Sequence, residues 1–252
     1  MGTPTISIIG TGNVAYQLGL AFIEAGVVIK DIWGRNKIKA NQLSEDLGCL
    51  CAANIESLSG ELVIVCVSDD AIIDILSNVS LSIFVAYTSG SLELSDCGRN
   101  TNTGVFYPLQ TFTKEQVVTF ESIPMLIESQ SSLLEELLLE LAKKLSRHVH
   151  SVNSKQRKLY HLSAVWINNF TNHMVFQAKS LAEENNIDWT IFQPLIERTA
   201  LKLMNTDPYF NQTGPARRGD HSIISSHEAM QTGIRKELYS LISKSIDQTY
   251  NK

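Results

Sequence analysis

Ile6-Ser7-Ile8-Ile9-Gly10-Thr11-Gly12-Asn13-Val14-Ala15 is the stretch that decides the fold of this chain. The apolar residues 6–9 read as a buried strand, and the pattern Gly10-x-Gly12-x-x-Ala15 follows with no spacer. Glycine at 10 permits the tight turn out of the strand. Glycine at 12 leaves the amides at the start of the next helix open to a pyrophosphate, and alanine at 15 lets that helix lie close on a sheet. Val14, Leu18, Ala21, Phe22 and Ala25 then recur at helical spacing, Gly26 ends the helix, and residues 27–33 form a second apolar run. Strand, glycine turn, helix and strand fill about 30 residues, the size of one βαβ unit.

The end of the second strand selects the nucleotide. An acid reading a ribose 2′-hydroxyl stands about twenty residues beyond the glycines. This chain has Gly34-Arg35-Asn36-Lys37 there, and Asp31 lies too early. Arg35, with Lys37 and Lys39 near it, suits the doubly charged 2′-phosphate of NADP(H). One charge-assisted pair contributes about 1.5–3 kcal/mol, enough for a preference of roughly ten- to hundredfold over NAD(H).

Composition narrows the remaining classes. The chain has 252 residues, 44% of them hydrophobic and 19% charged, with a net charge of −5. No basic tail or stripe offsets that charge, which argues against nucleic acid as a partner. No apolar run reaches the roughly 18 residues of a membrane span, and Met1-Gly2-Thr3-Pro4 leads straight into the first strand. The expectation is therefore a cytoplasmic protein with neither signal peptide nor membrane segment. Cys49 and Cys51 are one residue apart, which is neither a redox pair nor a zinc knuckle, and Cys66 sits inside an apolar strand. His148 and His150 lack a third ligand, and His227-Glu228-Ala229-Met230-Gln231 fails as a zincin at its second histidine, so no metal is expected. There is no GxSxG elbow and no P-loop.

Alternation of strand and helix continues past the glycines. A helix is expected over 36–47, a strand over 62–67, a short helix over 70–76, and strands over 83–87, 104–107 and 122–127. Ser132-x-x-Glu135 reads as a capping box for a helix whose buried face is Leu134, Leu137, Leu138, Leu141 and Leu145, and residues 147–152 close the sheet. The fold class is α/β: a doubly wound Rossmann-like sheet at the N-terminus, followed by an all-helical domain. From 153 onward strand signals vanish. Leu159, Leu162, Trp166, Phe170, Met174, Ala178 and Leu181 trace one stripe along a helix of about 30 residues. A helix over 190–204, a polar loop over 205–220 and further helices follow. We divide the chain into a cofactor domain, 1–152, and an all-helical domain, 153–252.

In an open α/β sheet, ligands bind beyond the carboxyl ends of the strands. Three such ends carry unusual loops: Val67-Ser68-Asp69-Asp70, Tyr87-Thr88-Ser89-Gly90-Ser91 and Phe106-Tyr107-Pro108-Leu109-Gln110-Thr111-Phe112. The first suits the adenosine or ribose, so Gly10, Thr11, Gly12, Asn13, Val14, Gly34, Arg35, Asn36, Val67, Ser68 and Asp69 form the candidate cofactor set. Ser89 suits the nicotinamide side, and Pro108 the substrate. On the long helix, His161, Asn168 and Asn172 share one face at spacings of seven and four, with Asn169 one step round. A polar stripe there needs a partner to satisfy it, and His161 beside an Asn amide can exchange a proton and hold a carbonyl. Gln212-Thr213-Gly214-Pro215-Ala216-Arg217-Arg218-Gly219-Asp220 places two arginines in a Gly/Pro-rich turn, a clamp for a carboxylate or phosphate.

Taken in order, GTGNVA, WGRN, TSGS, FYPLQTF, NNFTNH and QTGPARRGD resemble a family of Rossmann-like NADP oxidoreductases with an uncharacterised helical C-terminal domain. Its wider relatives include pyrroline-5-carboxylate reductase and the 6-phosphogluconate and 3-hydroxyisobutyrate dehydrogenases. The resemblance implies NADP(H), a homodimer formed through the helical domain, and a substrate between the domains. The hydroxyacid dehydrogenases of that group use a lysine one turn before the asparagine of the long helix. This chain has Ala164 there, and Tyr87 where the family would have histidine.

The expected function is an NADP(H)-dependent oxidoreductase that moves hydride to or from a small, anionic C=O or C=N substrate in an interdomain cleft. His161 exchanges the proton, Asn168 or Asn169 orients the substrate, Arg217 or Arg218 clamps its anion, and Ser89 supports the nicotinamide side. The second reading is a non-catalytic NADP(H)-binding sensor or partner-binding protein, which the missing lysine favours. A deazaflavin-linked reductase is the third.

Overall fold

The structure, a computed structural model, describes residues 2–97 and 102–251. Contacts divide the chain into two compact units, Met1–Phe170 and Thr171–Lys252. The first is built on β1 (Ile6–Ile9), β2 (Ile29–Trp33), β3 (Leu50–Cys51), β4 (Leu62–Val65), β5 (Phe84–Tyr87), β6 (Thr103–Pro108), β7 (Met125–Ser129) and β8 (Val149–Ser151). They form one sheet in the order β3-β2-β1-β4-β5-β6-β7-β8. Every neighbouring pair is parallel except β6 and β7, which run antiparallel with Phe106 opposite Ile127.

Helices cover both faces. Leu62 and Ile64 of β4 join the core beneath α1 (Asn13–Glu24), α2 (Lys37–Leu47) and α4 (Ser132–Leu145). Val63 and Val65 join the opposite core with Ile72, Ile75 and Leu76 of α3 (Asp69–Asn78). Successive side chains of a strand point to opposite faces, so a strand covered on both sides must be apolar throughout. That is why β4 reads as an unbroken apolar run and β1 is interrupted only by Ser7, a buried residue whose Oγ accepts from Gly60 N. Strand order reverses between β1 and β4, and the reversal opens a crevice at their carboxyl ends.

Several boundaries differ from the sequence reading for local reasons. β7 starts at Met125, because residues Phe120–Ser122 close a 3-10 turn first. The two-residue β3 was not expected, being too short to show a period. The cap of α4 is Ser131, whose Oγ accepts from Leu134 N, so the Ser132/Glu135 capping box does not form. Glu135 instead accepts a hydrogen bond from Ser151 Oγ of β8.

After β8 come α5 (Ser154–Ala164), a π-helical segment (Val165–Phe170) and α6 (Thr171–Glu184). Leu159, Leu162, Trp166 and Phe170 of the expected stripe are exposed in the single chain. The second unit continues with α7 (Gln193–Asn205), α8 (Pro208–Asn211), α9 (Pro215–Arg218), α10 (His221–Ala229) and α11 (Gly233–Tyr250). Residues 205–220, expected as a loop, therefore hold two short helices, each opened by a proline whose missing N–H costs nothing there. Arg235 fastens α11 to α6 with two 2.7 Å bonds to Glu184, whose carboxyl it holds down at about 2.

Candidate active site

A groove of about 970 Å³ lies along the carboxyl ends of the central strands, entirely within the first unit. Gly10 to Val14 line it at the crevice. Arg35, Asn36 and Lys39 line it beyond β2, and Tyr107 lines it beyond β6 with His161, Asn168 and Asn169. Strand order sets these two groups on opposite sides of β1 and β4.

The glycine turn is shaped by its neighbour strand. Gly10 has φ +123°, and a Cβ there would stand 2.1 Å from the Cys66 carbonyl oxygen at the end of β4. Gly12 caps α1 with no side-chain hydrogen bond, and nothing lies within 4 Å of where its Cβ would project. The first amides of α1 have no partners within the helix and carry the positive end of its dipole. A pyrophosphate fits this open cradle, as the donor set requires. Asn13 Nδ2 donates to Phe112 O at 2.9 Å, and the buried Gln17 holds Thr113 and Gln116 carbonyls. These bonds tie the loop after β6 to the start of α1, which brings Leu109 to Phe112 to the groove wall. Burial pushes the Cys66 thiol up to about 12, so it stays protonated.

At the β2 end, each ionic side chain has a separate task. Asp31 is 3% exposed, and its Oδ2 accepts from Ser59 N and Ser59 Oγ at 2.9 and 2.5 Å. It braces the segment before β4 and does not line the groove. Lys37 Nζ donates to the Ala52 and Ala53 carbonyls. Asn36 Oδ1 caps α2 by accepting from Lys39 N. Arg35 and Lys39 remain as the exposed cations of the groove, and neither forms an ion pair among the described residues. Val67, Ser68 and Asp69, beyond β4, line the groove as expected from their loop.

At the β6 end, the Tyr107 hydroxyl and His161 Nδ1 share a hydrogen bond of 2.9 Å, with the rings edge to face at 6.0 Å. Burial, reinforced by the charge of Asp69, pushes the Tyr107 hydroxyl up to about 12. A Cβ on Gly90 would lie 2.6 Å from both Cγ and Nδ1 of His161, so only glycine leaves the imidazole its place. Asn168 and Asn169 both line the groove, whereas Asn172 does not. The π segment explains this: a wider turn rotates each residue by less than the roughly 100° of an α-helix, so Asn169 stays beside Asn168.

Some expected residues stand elsewhere. Ser89 is buried, its Oγ accepting from Ser91 N and Leu92 N, and Thr88 lines the groove in its place. Pro108 is buried at the end of β6. Arg217 and Arg218 belong to the second unit, where Arg217 lies 4.5 Å from the Tyr250 ring centroid and Arg218 pairs with Asp220 at 2.9 Å. Sequence reasoning did not single out Tyr107, Gly90 or Arg157. The signal for Tyr107 was its position at the end of a strand, in a loop already marked as a ligand site. Nothing in the local pattern marked Arg157, which is fully buried on α5.

The geometry agrees with comparisons to known proteins. Residues 5–85 match the family model "NADP oxidoreductase coenzyme F420-dependent", and residues 123–246 match "Domain of unknown function (DUF2520)". No curated protein matches. A crystal structure from Bacteroides fragilis, described as a "putative NADP oxidoreductase", is 32% identical over 97% of this chain and 98% of its own, with a TM-score of 0.87. A Thermotoga maritima protein is 21% identical over 98% and 100%, with a TM-score of 0.73. A reductive aminase from Aspergillus terreus, in complex with NADPH and ethyl-5-oxohexanoate, shares the fold at 15% identity over 99% and 96%, with a TM-score of 0.69. The chain belongs to the NADP oxidoreductase family typified by the Bacteroides fragilis protein, in which a Rossmann-type nucleotide domain precedes a helical domain of unknown function.

Proposed function

We propose that this chain is an NADP(H)-dependent oxidoreductase acting on the C=O or C=N carbon of a small polar molecule. The observation that carries the reading is a single groove joining an open helix N-terminus, two cations without an ion-pair partner among the described residues, and a histidine. The amides at Gly12 to Val14 hold the pyrophosphate, and Arg35 with Lys39 holds the 2′-phosphate. Hydride transfer is the chemistry that the bound nicotinamide supplies. His161 exchanges a proton with the substrate heteroatom, and Asn168 or Asn169 fixes that atom by hydrogen bonding. Burial keeps the Tyr107 hydroxyl protonated far above neutrality, so the phenol does not itself serve as the base. Among the described lining residues the lysine and arginine cations stand only at 35 and 39, so the His161 side binds by hydrogen bonds. An anion clamp at Arg217 or Arg218 requires their present partners, Tyr250 and Asp220, to yield.

A homodimer is part of this reading. Leu162, Trp166 and Ile167 are more than half exposed on the helical stretch that borders the groove, and a second copy covers such a face.

The test is NADPH oxidation by the wild-type protein and His161→Ala against a panel of keto acids and cyclic imines. Loss of about 10²–10⁴-fold in turnover with NADPH affinity unchanged supports the role of His161. Equal turnover in the two proteins removes it. Tight NADPH binding with no turnover by the wild type would favour the sensor reading, which the uncharged Ala164 in the groove supports.

A further inference from the structure

Arg157 is completely buried, the largest side chain to be so among the described residues, and it lies one helical turn before His161. Its guanidinium fastens α5 to two other segments, β7 and the loop after β5. Nε donates to Glu128 Oε2 at 3.0 Å on β7, Nη1 to Ser89 O at 2.8 Å, and Nη2 to Leu92 O at 2.7 Å. Ser154 Oγ, at the start of α5, donates to Glu128 Oε1 at 2.5 Å and accepts from Leu94 N at 3.2 Å. Each element that touches His161 is therefore fastened to this cluster. Gly90 lies between two carbonyls that Arg157 holds. Tyr107 lies on β6, which pairs with the β7 strand carrying Glu128. His161 itself lies on the helix that carries Arg157.

A buried ion pair is weak evidence of stability, because an apolar pair of similar volume often folds as well or better. What such a pair supplies without substitute is fixed geometry between segments. We propose that Arg157, bonded to Glu128, is a positioning residue for His161: it clamps the loop after β5 beneath the imidazole and so sets the ring's tautomer through the Tyr107 hydrogen bond. With the Tyr107 hydroxyl donating to Nδ1, the neutral imidazole carries its proton on Nε2. The other ionisable groups lining the groove are Asp69 of α3, Tyr160 on the same helix, the Cys66 thiol, and Arg35 and Lys39 at the β2 end.

This inference rests on the assignment of His161 above, but its readout is the imidazole itself, so a failure of catalysis does not decide it. The full chain, ¹⁵N-labelled at histidine, is followed by long-range proton–nitrogen spectra from pH 5 to 9, with His161 identified by its loss in His161→Ala. Tyr107→Phe supplies the reference for complete loss of the hydrogen bond. The wild type should favour the Nε2–H form by roughly fivefold beyond that reference, the bias one hydrogen bond sustains. The double variant Arg157→Met/Glu128→Leu removes one charge of each sign, so its local net charge is unchanged and any effect is geometric. It should lose most of the bias. Far-ultraviolet circular dichroism and NADPH affinity serve as folding controls. A folded double variant with the wild-type tautomer ratio overturns the proposal, as does a wild type with no bias. If the double variant does not fold, Arg157→Lys decides. Lysine keeps the charge but cannot reach Glu128, Ser89 and Leu92 together, so the same loss is expected, and an unchanged His161 spectrum overturns the proposal.

Discussion

Replacing Arg35 by alanine tests the nucleotide assignment at one side chain. Arg35 is exposed, lies in the groove beyond β2 and has no ion-pair partner among the described residues, so its removal leaves no buried group unsatisfied. Stability should change by no more than about 0.5 kcal/mol. A guanidinium on the dianionic 2′-phosphate contributes about 1.5–3 kcal/mol, which corresponds to a loss of roughly ten- to hundredfold in NADPH affinity. Lys39 lines the same end and retains part of the attraction, which places the expected loss toward the lower figure. NADH lacks the 2′-phosphate, so its affinity should not change. Titration calorimetry of NADPH and NADH into both proteins at fixed ionic strength measures all four constants. Equal losses for NADPH and NADH would refute the 2′-phosphate contact and assign Arg35 to a part common to both nucleotides. Unchanged NADPH affinity would remove Arg35 from the site.

Three further outcomes follow from the same geometry. Gly10→Ala combines φ +123° with a Cβ 2.1 Å from the Cys66 carbonyl, so its urea unfolding should show a loss of about 3 kcal/mol or more; wild-type stability would mean that the β1 turn can relax. Asp31→Ala leaves Ser59 N–H and Oγ–H without their acceptor and should cost about 1–3 kcal/mol in stability, with the ratio of NADPH to NADH affinity unchanged. A fall in NADH affinity there would instead give Asp31 a ribose role. The last outcome concerns alkaline pH. Native Tyr107 holds its proton to about 12, and an unfolded tyrosine releases it near about 10. Between those values the native state binds more protons, so its stability falls as pH rises. Tyr107→Phe should flatten that fall between about pH 10 and 12, and identical slopes would show that the hydroxyl is not sheltered.

How much of this could be read from the chain depended on the range of the interactions. The first βαβ unit was legible because its signals are local: an apolar run, glycines at fixed offsets and a helical stripe within one short window. The doubly wound class followed from the alternation of strand and helix, and the reading of Arg35 followed from its offset after the second strand. Interactions between distant segments were not legible. The Tyr107–His161 bond spans 54 residues and the Arg157–Ser89 bond spans 68, and neither leaves a periodic trace. The π segment was hidden for another reason. Counting at 3.6 residues per turn put His161, Asn168 and Asn172 on one face, and the wider turn at Val165–Phe170 brings Asn169 to the groove where that count expected Asn172. Arg217 and Arg218 looked free because their Gly/Pro setting resembles an open loop. Prolines at the first helical positions instead start short helices there, and both arginines have partners nearby.

Titration calorimetry of NADPH into the purified chain tests the central claim most directly, namely that the amides after Gly10 grip a dinucleotide. The account predicts one site per chain with a dissociation constant near the micromolar range, about −8 kcal/mol, weakened at least tenfold by Gly12→Val, whose side chain enters the open space before α1. Absence of heat with NADPH and NADP⁺ at millimolar concentration, or equal binding by Gly12→Val, would contradict it.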